Sequence, residues 1–273
     1  MKKKTIVGIL LISLLCAGNL LAQDAPKPAA DDAAAIAKKL ANPIGALISL
    51  PFQNNMDIGI GDFNGSRNTL NIQPIVPFNL GEKFSLITRY ILPVIAQYDI
   101  TGEGTQQAGL ADALVSGWIS NKVVKNGFIW GLGGAFLVPT ATNDFLGTKK
   151  FGVGPTVIVL KQTKGWTFGM LANQVWSVAG DESTADVNQM YLQPFITHNW
   201  KSGSGLTVNS EITQNWEAGT TNAYINIMAG ALTKFGNQMV QFQVGPRIQV
   251  AAPEGGMSAF GVRTAAIFVF PKK

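Results

Sequence analysis

The stretch QMVQFQVGPRIQV, residues 238–250, falls into two interleaved sets. One reads Val240, Phe242, Val244, Pro246, Ile248 and Val250; the other reads Gln241, Gln243, Gly245, Arg247 and Gln249. Period-two alternation marks a β-strand with one apolar and one polar face. In a soluble sandwich the apolar face would line a core. In a membrane barrel it would meet lipid, and the polar face would become the interior. The surrounding sequence decides between them.

From Ile44 onward the chain repeats this pattern. Candidate strands lie at 45–53, 69–78, 84–93, 110–120, 128–138, 151–160, 166–177, 188–199, 206–216, 222–233, 238–250 and 259–270. Most approach ten residues. Tilted transmembrane strands need about 9–11, whereas strands of globular proteins average about 5–6. The segments LGEK, NKVVKNG, KQTKG, WKSGSG and KFGN form short, mostly Lys- and Gly-bearing connections. Between them come NNMDIGIGDFNGSRN, PVIAQYDITGEGTQQAG, PTATNDFLGTKK, VAGDESTADV, WEAGTT and APEGGM, mostly longer and richer in acid, Gly and Thr. Short turns on one side and long loops on the other are the asymmetry of outer-membrane barrels, the short turns being periplasmic. Phe84, Phe128, Trp130, Phe151, Trp166, Phe168, Trp176, Trp200, Trp216 and Phe270 fall near strand ends, where interfacial girdles form. The reading is an all-β fold, a transmembrane antiparallel barrel of about 12 strands with a short N-terminal helix. Pro74, Pro155, Pro194 and Pro246 sit inside expected strands, and a closed barrel has no edge to host them; β-bulges are the expected accommodation.

The first residues, MKKKTIVGILLISLLCAGNLLA, are different in kind. Three lysines, an apolar run and small residues describe a secretory signal peptide, residues 1–22, cleaved after Ala22. Cys16 is the one cysteine of the chain. It reads either as an apolar residue of the removed leader or as a faint lipoprotein box. Once the leader is removed the mature chain has no cysteine, and so neither a disulfide nor thiolate chemistry. Residues 23–43 are Ala-rich, with Asp31 and Asp32 at a helix start, Lys38 and Lys39 near its end, and Pro43 to stop it. A helix over 31–41 is expected, periplasmic or inserted in the lumen. Residues 44–273 are the barrel.

Composition agrees. Charged residues make up 14% of the chain, well below a typical soluble domain, and there are 30 glycines. Of the 21 basic residues three (Lys2, Lys3 and Lys4) belong to the leader, so against 16 acids the mature chain is near neutral. No basic run suggests nucleic acid. A weak repeat pairs LNIQPIVPFNL with MYLQPFITHNW, and FGVGPTVIVL with FGVRTAAIFVF, each six strands apart.

Enzymatic chemistry is thinly represented. His198 is the one histidine, so a histidine cluster for metal is impossible. It shares the outward face of Leu192, Pro194 and Ile196. A Ser–His hydrolase would pair it with Ser210, which the turn near 200–205 keeps away from it. GIGDFNGS and GLGGAF match no phosphate loop and open no helix. Asp57, Asp62 and Asn64 lack the following glutamate of a calcium loop, and a solvated extracellular loop is the simpler reading. No catalytic residue, cofactor or metal is expected.

The inward faces are more informative. With apolar positions toward lipid, the expected lumen residues are Arg89, Asp112, Glu211, Arg247, Arg263, Asn71, Gln73, Asn173, Gln193, Asn209, Gln241, Gln243 and Gln249, joined by Ser116, Thr156, Tyr191, Asn215 and Asn226. An arginine on the lipid side at mid-membrane would cost about 2–4 kcal/mol, which turns Arg89, Arg247 and Arg263 inward. The three arginines, Asp112 and Glu211 either neutralise one another, line a solute path, or do both. Gly131, Gly133, Gly152, Gly154, Gly169, Gly230, Gly245 and Gly261 face the same way and leave room for an inserted segment or a narrow pore.

Beyond these patterns, NPIGALISLPFQNNMDIGIG, NIQPIVPFNLGEKFSLITRYILPVI, GLADALVSGWIS, FGVGPTVIVL, MLANQVWSVAGD, MYLQPFITHNW and the terminal FVFPKK together resemble a family of bacterial outer-membrane transporters labelled for the MetA pathway of phenol degradation, some members carrying the label neuromedin U. The resemblance spans about residues 42–273. It implies an outer-membrane barrel of a Gram-negative cell that passes small hydrophobic or aromatic molecules, and it supplies no catalytic residues. This chain has GLAD where the family pattern leads one to expect GLGD. The sequence therefore reads as a passive, porin-like channel. The alternatives are a closed structural or adhesive barrel working through its loops, and then a lipid-acting hydrolase. Its partners would be outer-membrane lipid and a small solute, with the oligomeric state open.

Overall fold

A computed structural model describes residues 30–45 and 47–270; the expected leader and Cys16 lie outside them. One helix, α1 (Ala30–Leu40), precedes fourteen strand segments: β1 (Ile48–Ile60), β2 (Gly65–Ile72), β3 (Ile75–Leu80), β4 (Phe84–Tyr98), β5 (Gln106–Leu110), β6 (Ala113–Asn121), β7 (Phe128–Val138), β8 (Lys150–Gln162), β9 (Trp166–Gly180), β10 (Asn188–Asn199), β11 (Ser204–Asn215), β12 (Thr220–Phe235), β13 (Gln238–Ala251) and β14 (Phe260–Phe270). β2 and β3 are the halves of one stave broken at Gln73–Pro74, and β5 and β6 the halves of another broken at Ala111–Asp112. Twelve antiparallel staves result. The last pairs with the first from Ile48↔Phe270 to Ile58↔Phe260, which closes the barrel and removes any free edge.

The apolar sets of the strands face outward. Leu132, Val244, Ile248 and Val250 are among the most exposed aliphatic side chains, at 47–59%. Their exposure is the inverse of a globular core, and a lipid-facing wall accounts for it. At the short-turn end the exterior carries a cluster of rings. His198 lies 4.4 Å from Trp166 and 5.2 Å from Trp200, and Trp166 stacks on Phe168 at 5.8 Å.

Two expected long loops are mostly strand. β1 runs to Ile60 and β2 begins at Gly65, leaving a tight turn at 61–64; β4 and β5 leave 99–105. Gly59 and Gly61 made that hairpin look like loop, although both glycines adopt positive φ only at its tip. The loop end keeps 139–149 and 252–259 as its longest connections.

The prolines are not housed in bulges. At Pro155 the ladder to β7 continues while that to β9 skips from Val153↔Trp176 to Thr156↔Asn173. Pro194 keeps its pairing with β9 and skips that with β11. Pro246 keeps Val262 on β14 and skips β12 between Asn226↔Arg247 and Ala229↔Val244. Each lacks the N–H that the skipped side would need, and the register resumes unchanged. Gly154 and Gly245, each directly before a proline, let the neighbouring strand lean in. A Cβ there would meet Gln174 O at 1.7 Å or Ile227 O at 1.8 Å. The register shifts instead fall near the loop end, at Ile58/Ile60, Phe151/Gly152 and Ala223/Tyr224.

Helix α1 lies across the short-turn end. Its Ala33 and Ala37 are buried, Gln162 Nε2 donates to Lys38 O at 2.8 Å, and Asn199 Nδ2 donates to Ala37 O at 3.4 Å. The following Ile44 reaches into the barrel and packs with Trp118 and Ile158 over Gly131.

Candidate functional site

The interior has two unlike walls. Across β11–β14 and β1 it is ionic. Glu211 of β11 accepts a two-pronged contact from Arg263, Nη1 to Oε1 and Nη2 to Oε2, both at 2.7 Å. Arg247 Nη1 reaches Glu211 Oε2 at 2.8 Å and Asn226 Oδ1 at 3.3 Å, while its Nε lies 3.3 Å from Asp57 Oδ1. The Arg247 guanidinium sits 3.4 Å over the Tyr224 ring, and Arg263 Nε donates to Asn55 Oδ1 at 2.7 Å. Paired forks of this kind offset the desolvation of buried charge. Two arginines face two carboxylates, so the cluster neutralises itself.

Asp57 was not expected here. It continues the inward series Gln53 and Asn55 of β1, an alternation visible once the hairpin at 61–64 is recognised. It is buried rather than part of a solvated loop, well separated in role from Asp62 and Asn64. Asp112 borders the interior but does not join the ionic cluster. It lies in the break between β5 and β6 and accepts Ala141 N at 3.2 Å, Thr148 N at 2.6 Å and Thr148 Oγ1 at 2.8 Å. It ties loop 139–149 to the barrel mouth and pairs with none of the arginines. Leu146 of that loop is buried and lines the interior.

Across β4 and β6–β9 the interior is largely apolar. Ile87, Trp118, Ile129, Ile158, Leu160 and Leu171 pack with Ile44, and Ile75, Tyr191 and Phe195 lean on them. Trp118 is 2% exposed, and its indole N–H donates to Thr156 Oγ1 at 3.1 Å. Some of the space left by inward glycines is occupied by this cluster: Trp118 and Ile44 crowd Gly131, and Phe195 crowds Gly169. The mostly polar lumen expected from sequence is therefore only part of the wall. The rule that apolar residues face lipid cannot detect a strand apolar on both faces.

Two hollows lie inside the barrel and share part of their lining among the described residues. The larger, 620 Å³, lies toward the loops and the smaller, 180 Å³, lies above α1. Gln53, Gln73 and Arg89 line both and mark their junction. Asn71, Asp112, Asn173, Glu211, Arg247 and Arg263 border the larger; Gln193, Asn209, Gln241 and Gln243 border the smaller. Gln249 borders neither. Its Nε2 donates to Asn222 Oδ1 at 2.9 Å and its Oε1 accepts Ser258 N at 2.6 Å, fastening β12 to the loop before β14. Arg89 stands apart from the ionic cluster. Its Nη2 donates to Gln73 Oε1, and its Nε is buried without a partner.

His198 and Ser210 do not meet. His198 pairs across to Leu206, so Ser210 stands four residues, roughly 13 Å, further up β11. The Ser210 hydroxyl donates to Tyr224 O at 3.1 Å. No hydrolytic pair forms from these two.

The fold has known counterparts. An outer membrane channel from Pseudomonas putida F1 superposes with a TM-score of 0.68 at 16% identity, covering 84% of this chain and 97% of that one. The fold is that of an outer-membrane barrel. An active-site mutant of outer membrane phospholipase A from Escherichia coli also aligns, with a TM-score of 0.50 at 9% identity over 87% of this chain and 98% of that one. No sequence family and no curated protein matches the chain.

Proposed function

We propose that the protein is a channel of the bacterial outer membrane through which small solutes diffuse, reached after export through a cleaved leader. The observation that carries this reading is the pair of hollows meeting at Gln53, Gln73 and Arg89 inside a wall whose exterior is apolar. A barrel of twelve strands is wider than the eight-stranded ones that side chains just fill, and part of that extra width is left open here. The likeness to the Pseudomonas putida F1 channel supports the same reading at the level of fold. The separation of His198 from Ser210 favours a channel over a lipid hydrolase. The half-apolar lumen suits the small hydrophobic or aromatic solutes that the family resemblance implies. Purified protein in planar bilayers tests it: stepwise current is expected, and liposomes carrying the protein should swell faster in small sugars than protein-free ones. Neither current nor swelling above background would overturn it.

A further inference from the structure

We propose that Arg89 anchors a binding site for a small amphipathic monoanion, a carboxylate or sulfonate head on an apolar body, at the junction of the two hollows. The inference rests on the channel reading and adds to it a solute class. Arg247 and Arg263 are occupied by Glu211 and Asp57. Arg89 pairs with no carboxylate among the described residues; its one protein acceptor is the neutral Gln73 amide, and Nε is left orphaned. A guanidinium withdrawn from bulk water without a counter-charge is costly unless an anion comes to it. Five donors in a planar fork match a carboxylate or sulfonate.

The surroundings specify the rest of the molecule. On the inner face of β4, Arg89 lies between Ile87 and Ile91, and its cross-strand partner on β3 is Ile75. Leu171 and Trp118 continue this surface on the wall of the larger hollow. A highly hydrated ion such as chloride gains nothing from such a wall, whereas a ring or short alkyl chain does. The 620 Å³ of the larger hollow is in the range of ordinary small-molecule sites.

Block of potassium chloride current through the full-length protein tests this at pH 8, with benzenesulfonate as the probe. Half-block of wild type is expected at a concentration at least about tenfold lower for benzenesulfonate than for benzyltrimethylammonium, which carries the same ring on a cation. Methanesulfonate, with the head and almost no body, should also block weakly. Arg89→Gln should raise the benzenesulfonate half-block about tenfold, and Arg89→Lys should restore part of it. Equal block by the cationic and anionic ring compounds in wild type overturns the inference without recourse to any variant, and so does an unchanged half-block in a folded Arg89→Gln. Absence of current in wild type would remove the channel reading instead. Calorimetric titration with benzenesulfonate then decides the site alone: binding lost in Arg89→Gln supports it, and no binding to wild type overturns it.

Discussion

The two walls of the lumen solve the same problem in opposite ways. Across β11–β14 and β1, charge is buried and then cancelled, Arg263 and Arg247 against Glu211 and Asp57. Across β4 and β6–β9, charge is mostly left out and Trp118 fills the space with Ile87 and Ile158. A cancelled ionic wall is rigid in composition, because removing one partner strands another. An apolar wall depends on volume, and a lost side chain there leaves a void. Arg89, uncancelled on the apolar side, belongs to neither scheme.

The contrast can be broken most severely at Glu211. Glu211→Gln keeps the shape but leaves Arg263 without a carboxylate and Arg247 with Asp57 alone, and a destabilisation of about 3–5 kcal/mol is expected. The shift of the folded band in heat-modifiability gels measures it, and reversal potentials in a salt gradient should move toward anion selectivity. Trp118→Ala should cost about 3 kcal/mol by the same gel and raise single-channel conductance, since it widens the filled side. Conductance equal to wild type would mean that the apolar wall does not restrict the path. The two faces of one strand can be compared next. Phe242→Arg puts charge on the lipid side and should cost about 2 kcal/mol with poor membrane insertion, whereas Gln243→Arg on the inner face should insert normally; fractionation of outer membranes compares them.

The smallest effect lies outside the membrane. Lys150 Nζ is 3.0 Å from Asp186 Oδ1, and the Lys150 and Ser177 hydrogen bonds hold the Asp186 carboxyl below its ordinary value. A depressed carboxyl contributes stability that is present above its unfolded value, near pH 4, and is lost as pH falls through the folded one. Lys150→Met should raise the Asp186 midpoint in an NMR titration and leave conductance unchanged.

Much of the fold was legible because lipid on one side imposes period two on every strand. All the expected strands overlap observed staves, and residues 128–138 and 188–199 match to the residue. The inward turn of Arg247, Arg263 and Glu211 was legible for the same reason: the midplane excludes them from the lipid face. Asp57 was hidden by Gly59 and Gly61, which resemble a loop but only tighten a hairpin. Trp118 and its neighbours were hidden because an inner face built of Ile and Trp looks like broken alternation. The partners of Asp112 come from a loop some thirty residues onward, which no local pattern connects to it. The prolines needed the ladder itself, since a missing bond on one side leaves no trace in sequence. Gln73 and Gln193, which occupy matching places in the weak repeat, each before a proline, play opposite parts: one accepts from Arg89 and the other donates to Glu211.

The ionic cluster also spans the seam at which the sheet becomes a tube. Arg263 and Arg247 come from the last two strands, whereas Asn55 and Asp57 come from the first. During assembly β1 would hold Asp57 without its Arg247 partner until β13 arrives. Joining the two ends thus completes the charge balance as well as the hydrogen-bond ladder, and a barrel closed out of step by two residues would keep the ladder and the facing of its side chains while forfeiting the charge balance. The cluster acts as a clasp that recognises the correct closure.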